Sequence, residues 1–357
     1  MRVVSVVGAR PQFIKAASVC RALRGRHEEI LVHSGQHYDY GMSDVFFEQL
    51  GIPAPDYNLA VGSGGHGRQT GEMLGMLEGL LLEREPDVVL VYGDTNTTLA
   101  AGLAAAKLDI PVAHVEAGLR SFNRAMPEEI NRVLVDHVSA LLFCPTTAAV
   151  DNLRTEGITE GVHLVGDVML DTARHFAESV DAAPVLARYG VEPDRYFFAT
   201  VHRAGNSDDP EKLGAIVSAF AALDRPVIWA IHPRTRKNLR MFGLDAVVEA
   251  SPSIIAVEPV PYTDTVALLR SASALLTDSG GMQKEAYFFG IPCVTLRDET
   301  EWVETIQLGW NALVGTDEQK IVAAASSLSR PENRPDVYGE GRTADAIVSV
   351  LEQRYEG

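Results

Sequence analysis

"DVVLVYGDTNTTLAAGLAAAKLDIPVAHVEA", residues 87–117, reads as one strand–helix–strand unit. The run "DVVLVYG" carries no polar alternation, "NTTLAAGLAAAKLD" is dominated by alanine, and "PVAHVEA" returns to a β-branched run. A strand apolar on both faces must be covered on both faces, and strands of this kind separated by helices predict a parallel sheet. A carboxylate stands at the carboxyl end of each strand. Asp94 follows the first strand and Glu116 closes the second, which puts both carboxylates at the edge where open α/β sheets bind ligands. Asp94 also reads as a helix N-cap, but Thr95, Asn96 and Thr97 can cap equally well, so that task does not require it.

The same alternation extends outward from this unit. "RVVSVV" and "EEILVHSG" predict strands around the helix "PQFIKAASVCRAL"; a glycine-rich loop, "VGSGGHGRQTG", then leads into the helix "EMLGMLEGLLLERE". Further on, "INRVLVDHVSALLF" has an apolar helical pattern throughout. The pattern restarts after about residue 190 with "YFFATVH", "PVIWAIHP", "SIIAVEP", "ALLTDSG" and "PCVTLRD" as five more strands. Between 166 and 195 the chain is helix-like and proline-bearing with no strand, which places a boundary there. The expected architecture is α/β, with two Rossmann-like domains facing each other across a cleft. They are expected to span 1–168 and 169–341.

A formal net charge of −17 excludes wholesale binding to nucleic acid or to an anionic membrane surface. An anionic ligand must therefore meet positive charge locally. Cys20, Cys144 and Cys293 are odd in number and widely spaced, as expected of buried, reduced thiols in the cytoplasm. "VVSVV" is too short for a secretory h-region, and no apolar run reaches membrane-spanning length. The ten histidines do not fall at zinc spacing; His33 and His37 come closest, across a glycine. No metal is expected. Without G-x-G-x-x-G, no nicotinamide cofactor is expected either.

Four strand-to-helix turns stand out. In "GARPQFIK", Gly8 permits a tight turn, Pro11 suits a first helical position, and the helix amides with Arg10 and Lys15 form an anion site. In "HVEAGLRSFNRAMPEEINR", residues 114–132, Pro127 begins a helix. Glu128 and Arg132 share one face as an i,i+4 pair, while Glu129 points about 100° away and is left out of the site. That pair explains neither Glu116 nor Arg120. "TVHRAGN" sets His202 and Arg203 at a strand end. "LTDSGGMQKEAYFFG" offers a second anion cradle at Ser279, Gly280 and Gly281, with Glu285 one turn on as an acceptor for a ribose diol. Two anion sites plus clustered carboxylates fit a nucleotide diphosphate bearing a sugar.

In order along nearly the whole chain, "GARPQFIK", "GQH", "YGDTNTT", "HVEAGLRS", "PEEINR", "VHR", "TDSGGMQKEA" and "LRDETEW" resemble the non-hydrolysing UDP-N-acetylglucosamine 2-epimerases. The resemblance implies a fold of the GT-B type, in which "TADAIVSVLEQRY" (about 342–357) crosses back onto the first domain. It implies a UDP-sugar substrate, no cofactor and a homodimer. It further implies acid–base roles for Asp94, Glu116 and Glu128, with His202 near the diphosphate. Arg10, Lys15, Arg132, Ser279, Gly280, Gly281 and Glu285 would hold the nucleotide or shape the site. The chain departs from the family pattern at Gly205, where H-R-x-E-N has a glutamate, and in "GQHYDY", where some relatives hold a regulatory UDP-N-acetylglucosamine. "GARPQ" and "TEWVET" resemble a branch that includes epimerases of diacetamido-uronic UDP-sugars. A glycosyltransferase of the same fold and a non-catalytic nucleotide-sugar sensor are the rival readings. The carboxylate trio favours epimerisation, because transfer needs one base at most.

Overall fold

The computed structural model describes residues 1–36 and 51–356, apart from the side chain of Arg10. His37, and with it the His33–His37 pair and the end of "GQHYDY", lies outside the described residues. The chain forms two compact units, Met1–Arg174 with Asp336–Gly357, and His175–Pro335.

Unit 1 contains β1 (Arg2–Val7), β2 (Glu28–His33), β3 (Tyr57–Asn58), β4 (Val88–Tyr92), β5 (Val112–Val115), β6 (Leu141–Cys144) and β7 (Val162–Leu164). Between them run α1 (Arg10–Arg24), α2 (His66–Arg84), α3 (Asn96–Lys107), α4 (Pro127–Val138) and α5 (Thr147–Thr155), with α6 (Val168–Ser179) leading out of the unit. The strands are all parallel, in the order β3-β2-β1-β4-β5-β6-β7. The order reverses between β1 and β4. At such a point the helices leave to opposite faces and a crevice opens beyond the strand ends.

Unit 2 repeats the plan. Its strands are β8 (Phe197–Thr200), β9 (Val227–Ala230), β10 (Ile254–Val257), β11 (Ala274–Thr277), β12 (Cys293–Thr295) and β13 (Asn311–Leu313). Their order, β10-β9-β8-β11-β12-β13, reverses between β8 and β11. Its helices are α7 (Ala182–Tyr189), α8 (Ala204–Ser207), α9 (Pro210–Ala222), α10 (Pro233–Met241), α11 (Asp245–Ala250), α12 (Tyr262–Arg270), α13 (Gly280–Phe289), α14 (Val303–Gln307) and α15 (Glu318–Ser327). The five strands expected in this half are all present. The last helix, α16 (Thr343–Tyr355), returns to unit 1 and packs on α1. There Glu352 Oε1 lies 3.0 Å from His27 Nε2, and the N-terminal amine donates to Glu356 Oε1 at 2.7 Å.

One expectation fails. "INRVLVDHVSALLF" is not one helix: α4 stops at Val138, Ser139 turns extended, and Leu141–Cys144 is β6. A four-residue apolar run looks the same to periodicity in a buried strand and in a buried helix. Burial between two neighbouring strands decides for β6, which is covered throughout. The strands β3, β7 and β13, two or three residues long, are not read from sequence, whereas β12, also three residues, is read from the longer run "PCVTLRD".

The turn after β5 is tight. Gly118 has φ +79°, and a Cβ added there would run into the carbonyl oxygen of Ala149 on α5. A left-handed backbone and overpacking against main chain act together. Gly118→Ala is expected to lose about 2–4 kcal/mol of stability. A urea midpoint within experimental error of wild type would show that the turn can move away.

Candidate active site

The carboxyl ends of β1, β4 and β5 carry the polar residues of unit 1. Thr95, not Asp94, caps α3, its hydroxyl accepting from Thr98 N. That leaves the Asp94 carboxylate for another partner. Its Oδ2 accepts from Arg132 Nε at 3.0 Å and Nη2 at 2.6 Å, and its other oxygen takes no hydrogen bond from a described residue. Arg132, on α4, also donates from Nη1 to Glu129 Oε2 at 2.9 Å. The Glu128–Arg132 pair expected from the i,i+4 spacing is therefore replaced by Glu129 at i,i+3 and by Asp94. Glu129 is almost fully buried and accepts from Ser121 N, Ser121 Oγ and Phe122 N. Burial alone would raise its pKa. The Ser121 amide, the Arg132 guanidinium and the Phe122 amide outweigh burial and hold it below the ordinary carboxylate value. Glu129, left aside in the sequence, is bound into the network around Asp94, whereas Glu128 is half-exposed.

Glu116 stands directly after β5 and bonds to Lys15 of α1; both are more than nine-tenths buried. Its backbone has φ +73°, rare for a residue with a side chain. Gly93 makes room for the pair, since a Cβ there would come within 2.8 Å of Lys15 Nζ and 3.3 Å of Glu116 Oε2. At the first turn, the amides expected to await an anion are partly used. Gln12 Oε1 accepts from Gly8 N and Ala9 N, and Gln12 Nε2 donates to Tyr92 O. The sequence signal for this was the glutamine directly after Pro11.

Unit 2 has its polar cluster at the β8/β11 reversal. Asp278, fully buried after β11, accepts from the amides of His202 and Arg203 and from Asn206 Nδ2, and lies 3.1 Å from His202 Nδ1. Burial would raise its pKa, but the His202 ring and these amides hold it low. The carboxylate thus takes the hydrogen on Nδ1 of a ring that is 42% exposed. Ser279 caps α13, and no described residue accepts from the N–H of Gly280 or Gly281. Gly280 lies in close quarters with Trp302 and the Arg203 guanidinium, 3.3 and 3.9 Å from where its Cβ would be. Glu285 is buried and accepts from Tyr262 Oη at 2.9 Å.

Both clusters lie at strand-order reversals, where carboxylates meet basic side chains; open amides stand at Gly280 and Gly281 in unit 2. A model of the family described as UDP-N-acetylglucosamine 2-epimerase matches residues 21–352. The chain belongs to that family. It is 49% identical to a UDP-N-acetylglucosamine 2-epimerase homolog of Methanococcus maripaludis, over 98% of this chain and 99% of that one. It is 48% identical to the UDP-2,3-diacetamido-2,3-dideoxy-D-glucuronate 2-epimerase of Pseudomonas aeruginosa, again over 98% and 99%. The crystal structure of Methanocaldococcus jannaschii UDP-GlcNAc 2-epimerase in complex with UDP-GlcNAc and UDP superposes with a TM-score of 0.92 at 43% identity, covering 99% of this chain and 100% of that one. The fold is accordingly of the GT-B type, and this 2-epimerase family member is an isomerase.

Asp278 is the residue to which sequence reasoning gave no role. A buried acid between an apolar strand and "SGG" was the available signal. Among the described residues there is no group of three or more His, Cys, Asp or Glu side chains arranged to hold a metal ion, and no helix long and apolar enough to cross a membrane. The three cysteines are buried and free; burial pushes the Cys144 and Cys293 thiols up to about 12.

Glu129 and Asp278 link the site to acid stability. Each has a native pKa below its unfolded one, so each adds stability above the ordinary carboxylate value of about 4. That stability is lost as pH falls through the lower native values. Glu129→Gln is expected to flatten the loss of thermal stability below about pH 4 and to weaken the fold at neutral pH by about 1.5–3 kcal/mol, the range for a hydrogen bond to a charged group. A Tm-versus-pH curve parallel to wild type would remove Glu129 from this linkage.

Proposed function

We propose that the protein interconverts UDP-N-acetylglucosamine and UDP-N-acetylmannosamine by inverting carbon 2. The observation that carries the reading is the Asp94 carboxylate at the β1/β4 reversal. Arg132 holds one of its oxygens and the other has no described partner, beside the buried Lys15–Glu116 pair. In the first step the C1–O bond breaks and UDP leaves with the bonding pair. As the ring takes on oxocarbenium character, the proton at carbon 2 becomes acidic and passes to a carboxylate, leaving 2-acetamidoglucal. The proton then returns from the opposite face and UDP re-adds at C1. Carboxylates stabilise such a cation, as in glycoside cleavage.

Asp94 is assigned as the base, with Glu116 and Glu128 sharing the acid–base work and His202 beside the diphosphate. The open Gly280 and Gly281 amides, Ser279 and Glu285 are assigned to the nucleotide, and Arg10, Lys15 and Arg132 to shaping the site. The side chain of Arg10 lies outside the described residues. A second substrate, a UDP-diacetamido-uronic acid, is favoured by the Pseudomonas relative and by Gly205. There the chain lacks the family's carboxylate, and the space around the Cβ position is open. Losing one negative charge from the His202 loop suits an acidic sugar.

A homodimer is part of the proposal, supported by Ile130 and Leu134 exposed on α4 and Met76 and Leu82 exposed on α2. A cytoplasmic location is supported by the three free thiols. In deuterated water, UDP-N-acetylglucosamine is expected to gain deuterium at carbon 2 as the manno isomer appears; the absence of exchange with either UDP-sugar would overturn the reading. Asp94→Asn is expected to lower exchange by about 10²–10⁴, and a near-wild-type rate would remove it as the base. Light scattering is expected to give twice the chain mass, and Ile130→Glu with Leu134→Glu to halve it.

A further inference from the structure

Beneath Asp94 and Glu116 lies a second set of charges that the acid–base assignment does not use. His114 on β5 and Asp136 on α4 are both fully buried. His114 Nδ1 lies 2.7 Å from Asp136 Oδ1, and Nε2 lies 2.7 Å from the carbonyl oxygen of Gly93. Both partners are acceptors. A neutral imidazole has one N–H and would turn a lone pair toward one of those oxygens; only the ring with hydrogens on both nitrogens satisfies both. The charge is compensated in place. Asp136 Oδ2 accepts from Gly118 N at 3.1 Å and pairs with Arg120 Nη1 at 2.7 Å. Arg120 in turn grips Glu156 through Nε and Nη2, each at 2.7 Å. The four charges alternate in sign and sum to zero.

What this chain holds is specific. Gly93 precedes Asp94, and Gly118 lies two residues after Glu116. Gly93, Glu116 and Gly118 have φ of +63°, +73° and +79°. A glycine takes this backbone freely, but at Glu116 it persists only where the surroundings over-determine it. The Gly93 amide donates to Val115 O at 3.0 Å, so the two turns also touch directly. We propose that His114 is a doubly protonated positioning residue that holds the Gly93 carbonyl and, through Asp136, the Gly118 amide. It thereby fixes the relative placement of the Asp94 and Glu116 turns. The proposal rests on the epimerase reading for its catalytic consequence, but not for the state of the ring.

Two measurements on the full chain test it. In a ¹⁵N-imidazole spectrum at neutral pH, His114 is expected to show hydrogen on both nitrogens. A single N–H overturns the proposal whether or not the protein epimerises anything, and it stands as the test if variants fail to fold. The second uses two amides. The nitrogen of Asn overlies Nδ1 and keeps only the Asp136 contact, whereas that of Gln overlies Nε2 and keeps only the Gly93 contact. With folding checked by circular dichroism and UDP affinity by calorimetry, His114→Asn is expected to lose about 10²-fold in carbon-2 exchange, the scale of an ångström of misplacement. UDP affinity is expected to change little, and His114→Gln to recover about tenfold of the loss. Equal rates for the two amides, or rates that follow thermal stability alone, would mark His114 as merely structural. Wild-type protein that shows no exchange would sink the epimerase reading instead, leaving the ring spectrum to decide the state of His114.

Discussion

A charge buried at the edge of a parallel sheet has to be paired, because desolvating an unpaired ion is worth several kcal/mol against the fold. That constraint organises both units. The strands are largely apolar on both faces, and the acids Glu116 and Asp278 stand just beyond their carboxyl ends, shielded from the water that would solvate them. Glu116 is met by Lys15, Asp136 by His114 and Arg120, and Asp278 by His202 and two backbone amides. Each pairing joins the end of one strand to a helix or to the end of another strand, so satisfying the charge also fixes the site.

The same joints hold unfavourable backbone in place. A left-handed non-glycine residue is worth of order 1–3 kcal/mol against the structure, and Glu116 is one. It is flanked by glycines whose missing side chains make the space, Gly93 for the Lys15–Glu116 pair and Gly118 for the carbonyl of Ala149. The result is a set of turns held on several sides at once, which suits the role proposed for their carboxylates, facing a reacting sugar without reorganising.

Much of the fold was legible because a parallel α/β chain writes its pattern locally. Buried β-branched runs, alanine-rich crossings and the late helix at 343–355 are each patterns of near neighbours along the chain. The strands that escaped notice, β3, β6, β7 and β13, are two to four residues long, and β6 was read as the tail of α4. The site was legible by position rather than by partner. Asp94 and Glu116 at strand ends, and "SGG" before α13, follow from the rule that chemistry sits beyond the carboxyl edge. Arg132 was expected on Glu128 by helical spacing, yet it takes Glu129 and Asp94. Spacing ranks neighbours on one helix and is blind to a strand thirty-eight residues away.

The sequence by itself determined that the chain makes two wound sheets, where their polar edges fall, and which motifs mark the epimerase family. Each of these is carried by residues close together along the chain. Only the tertiary structure decided which charges meet. Lys15 reaches Glu116, Asp136 holds His114, and Asp278 gathers the β8 turn because strand order brings together segments up to a hundred residues apart. Buried charges choose partners by distance and dielectric, and neither is written in the local sequence.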